Sequence, residues 1–490
     1  MTRATTLAAL QARHGARYRW LLLLAVMVGA MAAIMSSTIM NVAVPDLSAH
    51  FGLGQERAQW INSSFMVAMT VAMLTTPWIL ARYGYRRTYT GTMWLMLVGG
   101  VAGGLTNDYA LVLAARVLEG LAAGVVQPIP AIIILRAFEP HEQGRATGVF
   151  GMGVVLAPAL GPSIGGVLVD WFGWRSIFFM VVPFCLLSLW LARRFVPTTA
   201  PGGGAADRAG AALDWPGLVL ASVGTLCFLN SLVQWHAGDA TRAGLLLMTA
   251  LGALAAFWVR ERRLGRDKTP LAQAPLMNLA LFDNRPFAMG SIVAFIYGMA
   301  LFGSTYLLPV FMQLGLGLSP SYVGTILLPA GLVLALTIGV AGRLADHYPT
   351  HVLVSIGLSL LAVSFVLMGT LTLASAIWLL VAWATLGRIG LGFILPSLNL
   401  GAMRGLDKAL IPQAASTINF LRMLGGSVGV SLCGIVLEWR LDVHGDNLSK
   451  PQSSPARLAA FDESFLLLAT LCALALLAAW RLRAQPPASA

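Results

Sequence analysis

A chain of 490 residues with 58% hydrophobic and only 11% charged side chains lies outside the ordinary soluble class, in which roughly 25% of residues are charged. A formal charge of +12 invites a nucleic-acid reading, but the placement of charge decides that question, not its sum. Apolar stretches of about 20 residues, enough to cross a bilayer, follow one another almost end to end, so composition predicts an all-α polytopic membrane protein.

The first stretch, 18–43, is too long for a signal-peptide core and has no small-residue cleavage site behind it, so it is expected to remain as a helix. It holds Met35, Ser36, Met40 and Asn41 and leads into STIMNVAVPDL (Ser37 to Leu47). The second, 58–80, begins near Asn62 and ends in RYGYRR, whose Arg82, Gly84, Arg86 and Arg87 form a basic turn before 88–106. The fourth, 109–135, contains RVLEG (Arg116 to Gly120). In the fifth, 148–169, Gly148, Gly151, Gly153, Pro158, Gly161, Pro162, Gly165 and Gly166 leave one face nearly without side chains. Such faces let helices approach closely and the prolines permit bending; a hinge between halves and plain tight packing both fit. The sixth, 176–194, starts within WFGWRSIFF (Trp171 to Phe179).

A Pro/Gly-rich stretch, 197–214, then reads as a flexible linker. Two further spans, 215–235 and 243–260, are followed by a charged run, Arg260 to Lys268. The apolar, proline-interrupted segment 271–282 is too short to span and is expected to be interfacial. The last six spans are 287–312, 320–341, 351–372, 376–403, 412–437 and 463–481. These fourteen spans divide into an N-terminal six-helix bundle (1–196), a linker (197–214), an inserted helix pair (215–260), a loop (261–286) and a C-terminal six-helix bundle (287–490).

With the N-terminus inside, 23 of the 32 Lys and Arg residues fall on the cytoplasmic side. Arg57, Arg175, Arg242, Arg440, Lys450 and Arg457 lie outside, and Arg116, Arg388 and Arg422 lie within spans. This is the positive-inside pattern. It predicts an inner-membrane protein with both termini and the 197–214 and 260–286 segments in the cytoplasm, the 441–461 loop outside, and no nucleic-acid partner. Four cysteines in spans read as small packing residues, and no histidine is mid-span, so neither a metal nor a cofactor is expected.

The two sets of six repeat weakly. GRLADHY, with Gly342, Arg343 and Asp346, follows the second helix of the later set as RYGYRR follows that of the earlier, and Arg388/Gly392 echoes Arg116/Gly120. Repeated halves around a midplane site are the architecture of alternating-access carriers. STIMNVAVPDL, RVLEG, GVVLAPALGPSIGG (Gly153 to Gly166), WFGWRSIFF, PLMNLALFDNRPFA (Pro275 to Ala288) and NFLRMLGGSVGVS (Asn419 to Ser431) occur in order along nearly the whole chain. In these the sequence resembles the fourteen-spanner drug:proton antiporters of the major facilitator superfamily. The resemblance implies two six-helix bundles plus an inserted pair, and drug efflux coupled to protons. Three positions depart from the family pattern: Ser36 stands where an Asp is usual, Pro77 and Ala81 where Gly and Asp are usual, and Glu119 where Gln is usual.

Nineteen of the twenty acids fall in loops or at span ends; Glu119 alone lies well within a span, one turn from Arg116 on the same face. Intramembrane ionisable groups are costly and usually line a cavity or proton path, so Glu119 and Arg116 are the candidate coupling pair. A permanent counter-ion is the other reading. Ser36 and Arg116 share a depth of about 10 Å at 1.5 Å per residue, so the acid missing from the first helix is relocated to the fourth on this view. Met35, Ser36, Met40, Asn41, Asn62, Tyr297, Tyr306, Gln313, Arg388, Asn399, Asn419 and Arg422 are the candidate cavity lining, methionines suiting adaptable surfaces; packing is the alternative for each.

A phosphate-binding loop needs Gly-Lys, and Lys268, Lys408 and Lys450 follow Asp267, Asp407 and Ser449, which excludes an ATP-driven pump of that type. The expectation is a proton-coupled exporter of amphipathic toxic compounds, working among membrane lipids without enzyme chemistry. A dedicated exporter of one metabolite, lipid or siderophore and a non-transporting sensor or assembly partner are the alternatives. A periplasmic adaptor protein fits a two-membrane cell, although no residue shows one.

Overall fold

The computed structural model describes residues 6–53, 55–199, 212–236, 239–266, 275–446 and 454–482. They form helices: α1 (Leu7–His14), α2 (Tyr18–Phe51), α3 (Gln55–Leu105), α4 (Tyr109–Val126), α5 (Ile129–Ala137), α6 (Gln143–Phe172), α7 (Arg175–Phe195), α8 (Trp215–His236) and α9 (Ala240–Arg266). After a 3-10 turn at Leu279–Asp283 come α10 (Arg285–Val310), a π turn (Phe311–Gly315), α11 (Pro320–His347), α12 (Thr350–Met368), α13 (Ile377–Met403), α14 (Ile411–Val443) and α15 (Pro455–Trp480).

Twelve stretches among the described residues are long and apolar enough to cross a membrane, against fourteen expected. The α3 element carries both 58–80 and 88–106. Its 51 residues measure about 76 Å at 1.5 Å each, over twice a hydrocarbon core of about 30 Å. It breaks at Gly84, where φ is 75° and ψ is 167°. A side chain there would be strained by that φ, and its Cβ would meet the Thr198 carbonyl oxygen at 2.6 Å, so glycine is required twice over. Predicted span 148–169 corresponds to α6, which is not among the twelve. Predicted 109–135 is divided into α4 and α5 at Gln127 and Pro128, since proline supplies no N–H to continue the helical ladder.

Of the outer loop expected at 441–461, residues 441–443 and 455–461 are helical among the described residues. α14 runs to Val443 and α15 starts at Pro455, with Ser454 capping it by accepting the Arg457 N–H at 3.0 Å. Hydropathy stops where charges begin, whereas these charges are paired: Arg440 bonds Glu463, and Arg457 lies 3.5 Å from Asp446. Arg440 and Arg457 are therefore helical residues, not loop residues. The linker 197–214 and the segment 271–282 fall in part outside the described residues.

The chain divides into two compact units: Met1–Ser222 with Phe257–Leu279 and Gly405–Phe420, and Val223–Ala256 with Ala280–Arg404 and Leu421–Ala490. Within the first, α4 lies on α3 so closely that a Cβ on Gly120 or Gly124 would run into the Phe65 or Met69 carbonyl. Gly153 and Gly165 of α6 abut Met27 and Ile39 of α2. Within the second, Gly298, Gly425 and Gly429 bring the backbones of α10 and α14 together in the same way. The helix pair α8 and α9 has only 28% and 17% of its apolar windows buried, against 72% for Tyr109–Ala137, which leaves most of its surface facing outward.

Candidate functional site

The Asp108 carboxylate starts α4 by accepting the Ala110 and Leu111 N–H groups at 2.7 and 3.1 Å. From that cap the helix carries Arg116 and Glu119 on one face, about 10 and 15 Å along it at 1.5 Å per residue. The second depth is the middle of a core about 30 Å thick. Arg116 Nη1 donates to Glu119 Oε2 at 2.7 Å. It also reaches Ser36 Oγ at 2.9 Å and the Ser36 carbonyl at 3.3 Å. Nε donates to the Ile61 carbonyl at 3.2 Å, and the guanidinium carbon sits 4.3 Å from the centre of the Phe65 ring. Ser36 Oγ in turn donates to Glu119 Oε2 at 3.2 Å. All three side chains are buried, at 2% exposure or less.

Arg116 is thus fixed from three helices, whereas Glu119 is held through one oxygen. Its Oε1 has no hydrogen-bond partner among the described residues and faces the bare backbone of α3, where a Cβ on Gly100 would stand 3.5 Å away. A carboxylate with one bonded and one free oxygen can take up a proton without first breaking its ion pair. Doing so converts a neutral buried pair into a buried cation, a large change in energy for an apolar site.

The remaining candidates divide by place. Asn62 donates to Asn41 Oδ1 at 2.6 Å, joining α2 to α3, while Met35 and Met40 are buried. Met40 sits in an apolar cluster with Ile39, Ala43, Leu47, Ile61, Trp174 and Phe178. In the second unit Tyr297 is buried, and Arg388 and Arg422 are half-buried within electrostatic reach of its phenol. Tyr306, Gln313 and Asn399 are half-buried, Gln313 within the π turn. Asn419, which belongs to the first unit, is buried and donates to the Ala415 carbonyl at 2.8 Å. Among the turn residues, Arg86 donates to the Arg193 carbonyl, whereas Arg82 and Arg87 are exposed. Gly161 lies against Thr38, with 3.1 Å to an added Cβ, and Gly166 meets nothing within 4 Å. Pro158 and Pro162 fall within α6; Gly342, Arg343 and Asp346 fall in the last turns of α11.

Three features escaped sequence reading. Ile61 and Phe65 join the Arg116 site through a carbonyl and a ring face, neither of which has a sequence signature. Asp214, fully buried, caps α8 through the Gly217 N–H at 3.1 Å and pairs with Arg260 at 2.7 Å. Glu261, also fully buried, accepts the Met277 N–H at 3.1 Å. These acids sit beside a charged run that looks solvated; Arg260 and the α8 N-terminus engage Asp214, and the chain's return at Met277 reaches Glu261.

A family model described as Major Facilitator Superfamily matches residues 26–430. A multidrug resistance protein B homolog of Mycobacterium tuberculosis is 28% identical over 445 residues, covering 88% of this chain and 79% of that protein. A riboflavin transporter of Clostridioides difficile is 24% identical over 462 residues, covering 94% of this chain and 97% of that protein. Among solved structures, the proton:xylose symporter XylE superposes with a TM-score of 0.66 at 14% identity, covering 95% of both chains.

Proposed function

This chain belongs to the major facilitator superfamily and is a membrane transporter, and we propose that it is a secondary active exporter that exchanges protons for amphipathic drugs or toxic organic compounds. The observation that carries the coupling is the Ser36–Arg116–Glu119 cluster, a carboxylate buried at mid-span with one oxygen free to be protonated. Protonation of Glu119 would leave Arg116 uncompensated and bias the bundle toward the conformation that relieves it. Deprotonation on the other side would reset it. One charge crossing the membrane field is worth about 2.3 kcal/mol per 100 mV, which suffices for uphill export.

Efflux as the direction, and toxic compounds as the cargo, are favoured by the multidrug-resistance relative. The charge asymmetry of the sequence favours an inner-membrane location with both termini cytoplasmic. The riboflavin-transporting relative favours a second reading, a carrier dedicated to one metabolite. The test is an efflux and resistance screen in a pump-deficient host, with riboflavin among the compounds and a proton-gradient collapse as control. Gradient-dependent resistance to several unrelated compounds supports the first reading. Transport of one compound supports the second, and transport that survives collapse of the gradient overturns proton coupling.

A further inference from the structure

Two acids of the inserted pair, Asp214 and Glu261, take no part in the Glu119 cluster, and both are fully buried. They lie beyond the hydrocarbon core. The 27 residues of α9 measure about 40 Å at 1.5 Å each, about 10 Å more than a core about 30 Å thick. That excess falls at the end that carries Arg260, Arg262, Arg263 and Arg266, so Glu261 stands just past the predicted span 243–260.

The two carboxylates meet over Gly217 of α8. A Cβ on Gly217 would run into Asp214 Oδ2 and stand 3.1 Å from Glu261 Oε1, so a residue without a side chain gives both acids their room. The other oxygen of each is engaged. Asp214 Oδ1 accepts the Gly217 N–H at 3.1 Å and lies 2.7 Å from Arg260 Nη2. Glu261 Oε2 accepts the Met277 N–H at 3.1 Å. Glu261 Oε1, on the side of Asp214, has no hydrogen-bond partner among the described residues.

Among the described residues, the charged groups that face Glu261 are Asp214 from the start of α8 and Arg260 from its own helix. Pro275, Leu276 and Met277 bring no charge to it. Two ionised carboxylates against one guanidinium would bury a net negative charge, which is costly. A proton on one carboxyl removes that charge, and Oε1 is the oxygen with room for it. Burial, together with the facing Asp214, pushes the Glu261 carboxyl from the ordinary 4.5 up to about 8, against the pull of the Met277 N–H and Arg260.

We propose that Glu261 and Asp214 share a proton and form a clasp that holds the 275–277 segment on α9, and that the clasp loosens as this proton leaves. The segment leads into the 3-10 turn before α10, and Gln413 of α14 donates to the Pro275 carbonyl at 3.2 Å. The clasp therefore sets the slack of the chain entering α10 and the anchorage of the start of α14. It is a pH-dependent device separate from Glu119, and it stands independently of the export reading. The sign follows from linkage: an acid raised in the closed state favours closure fully below pH 4.5, and that contribution is lost as pH rises through about 8.

The test is hydrogen–deuterium exchange of full-length protein in nanodiscs, followed over residues 276–279 from about pH 5 to about pH 9, with each rate corrected for the intrinsic pH dependence of exchange. Protection should fall by at least about tenfold over that range, linkage to one proton allowing at most about tenfold per pH unit. It should level off above about pH 8. The α13 amides, on a helix without Asp, Glu or His, should not follow. Glu261→Gln keeps an acceptor for the Met277 N–H and carries no charge, so it should hold the low-pH protection throughout. Asp214→Asn keeps a cap for the Gly217 N–H and removes the facing charge, so it should shrink the fall. Wild-type protection that is flat with pH overturns the clasp, as does a fall shared with α13. A fall that persists undiminished in Glu261→Gln or in Asp214→Asn overturns the shared proton.

Discussion

Glu119→Gln removes the one carboxylate of its cluster, and the structure separates what this does to folding from what it does to coupling. A Gln carbonyl in the place of Oε2 keeps the hydrogen bonds from Arg116 Nη1 and Ser36 Oγ, now 2.7 and 3.2 Å long. Arg116 loses a counter-charge worth about 4 kcal/mol at 4 Å and an effective dielectric of 20. It retains three oxygen acceptors, on Ile61 and Ser36, and the ring face of Phe65. The expected net loss of stability is about 1–3 kcal/mol, below the roughly 3–5 kcal/mol for deleting one partner of a buried pair outright. Coupling should fail completely. A gradient of about two pH units supplies about 2.7 kcal/mol per proton, enough for about a hundredfold accumulation if one proton is exchanged per substrate. In everted vesicles with that gradient, the wild type should approach this ratio. The Gln variant should stop near equality while still exchanging preloaded substrate downhill. Accumulation above about tenfold by the variant, roughly 1.4 kcal/mol of retained drive, would refute the reasoning and make Glu119 a fixed counter-ion.

Arg116→Ala should be more damaging than Glu119→Gln, because it strips Glu119 of its ion pair and leaves only Ser36 to bond it; a melting temperature at or above that of the Gln variant would contradict this. Gly425→Ala drives a methyl into the Phe295 carbonyl, whereas Gly166→Ala meets nothing within 4 Å. The first should lose about 1–3 kcal/mol as an overpacked contact and the second should be silent, as read by thermal unfolding in detergent. Arg457→Ala leaves Asp446 buried without its nearest cation and should destabilise by about 3–5 kcal/mol; a wild-type melting curve would show that the pair carries no stability. Reporter fusions should place the 197–214 and 267–274 segments inside and 447–453 outside, and a cytoplasmic 447–453 would break the topology.

Much of this protein is legible along the chain because a bilayer imposes one-dimensional rules. A span must be about 20 apolar residues long, its backbone must satisfy itself within the helix, and its flanking charges sort by side. From those rules alone came the membrane class, a helix for every predicted span, and Glu119 as the acid that does not belong in lipid. The rules weaken where charges pair across space. Arg440 and Arg457 look like loop residues until Glu463 and Asp446 are seen opposite them, and Asp214 and Glu261 look solvated until Arg260 is seen on the one and the Met277 N–H on the other. Gly84 reads as one more glycine until its positive φ and the Thr198 carbonyl are known. Which residues are costly to bury depends on composition and spacing along one helix, and is written in the chain. What relieves the cost is a matter of how the helices pack. Ser36, Ile61 and Phe65 reach Arg116 from helices 50 to 80 residues away in sequence, and hydrogen bonds and ring faces act over a few ångströms of space, a distance that periodicity along the chain does not encode.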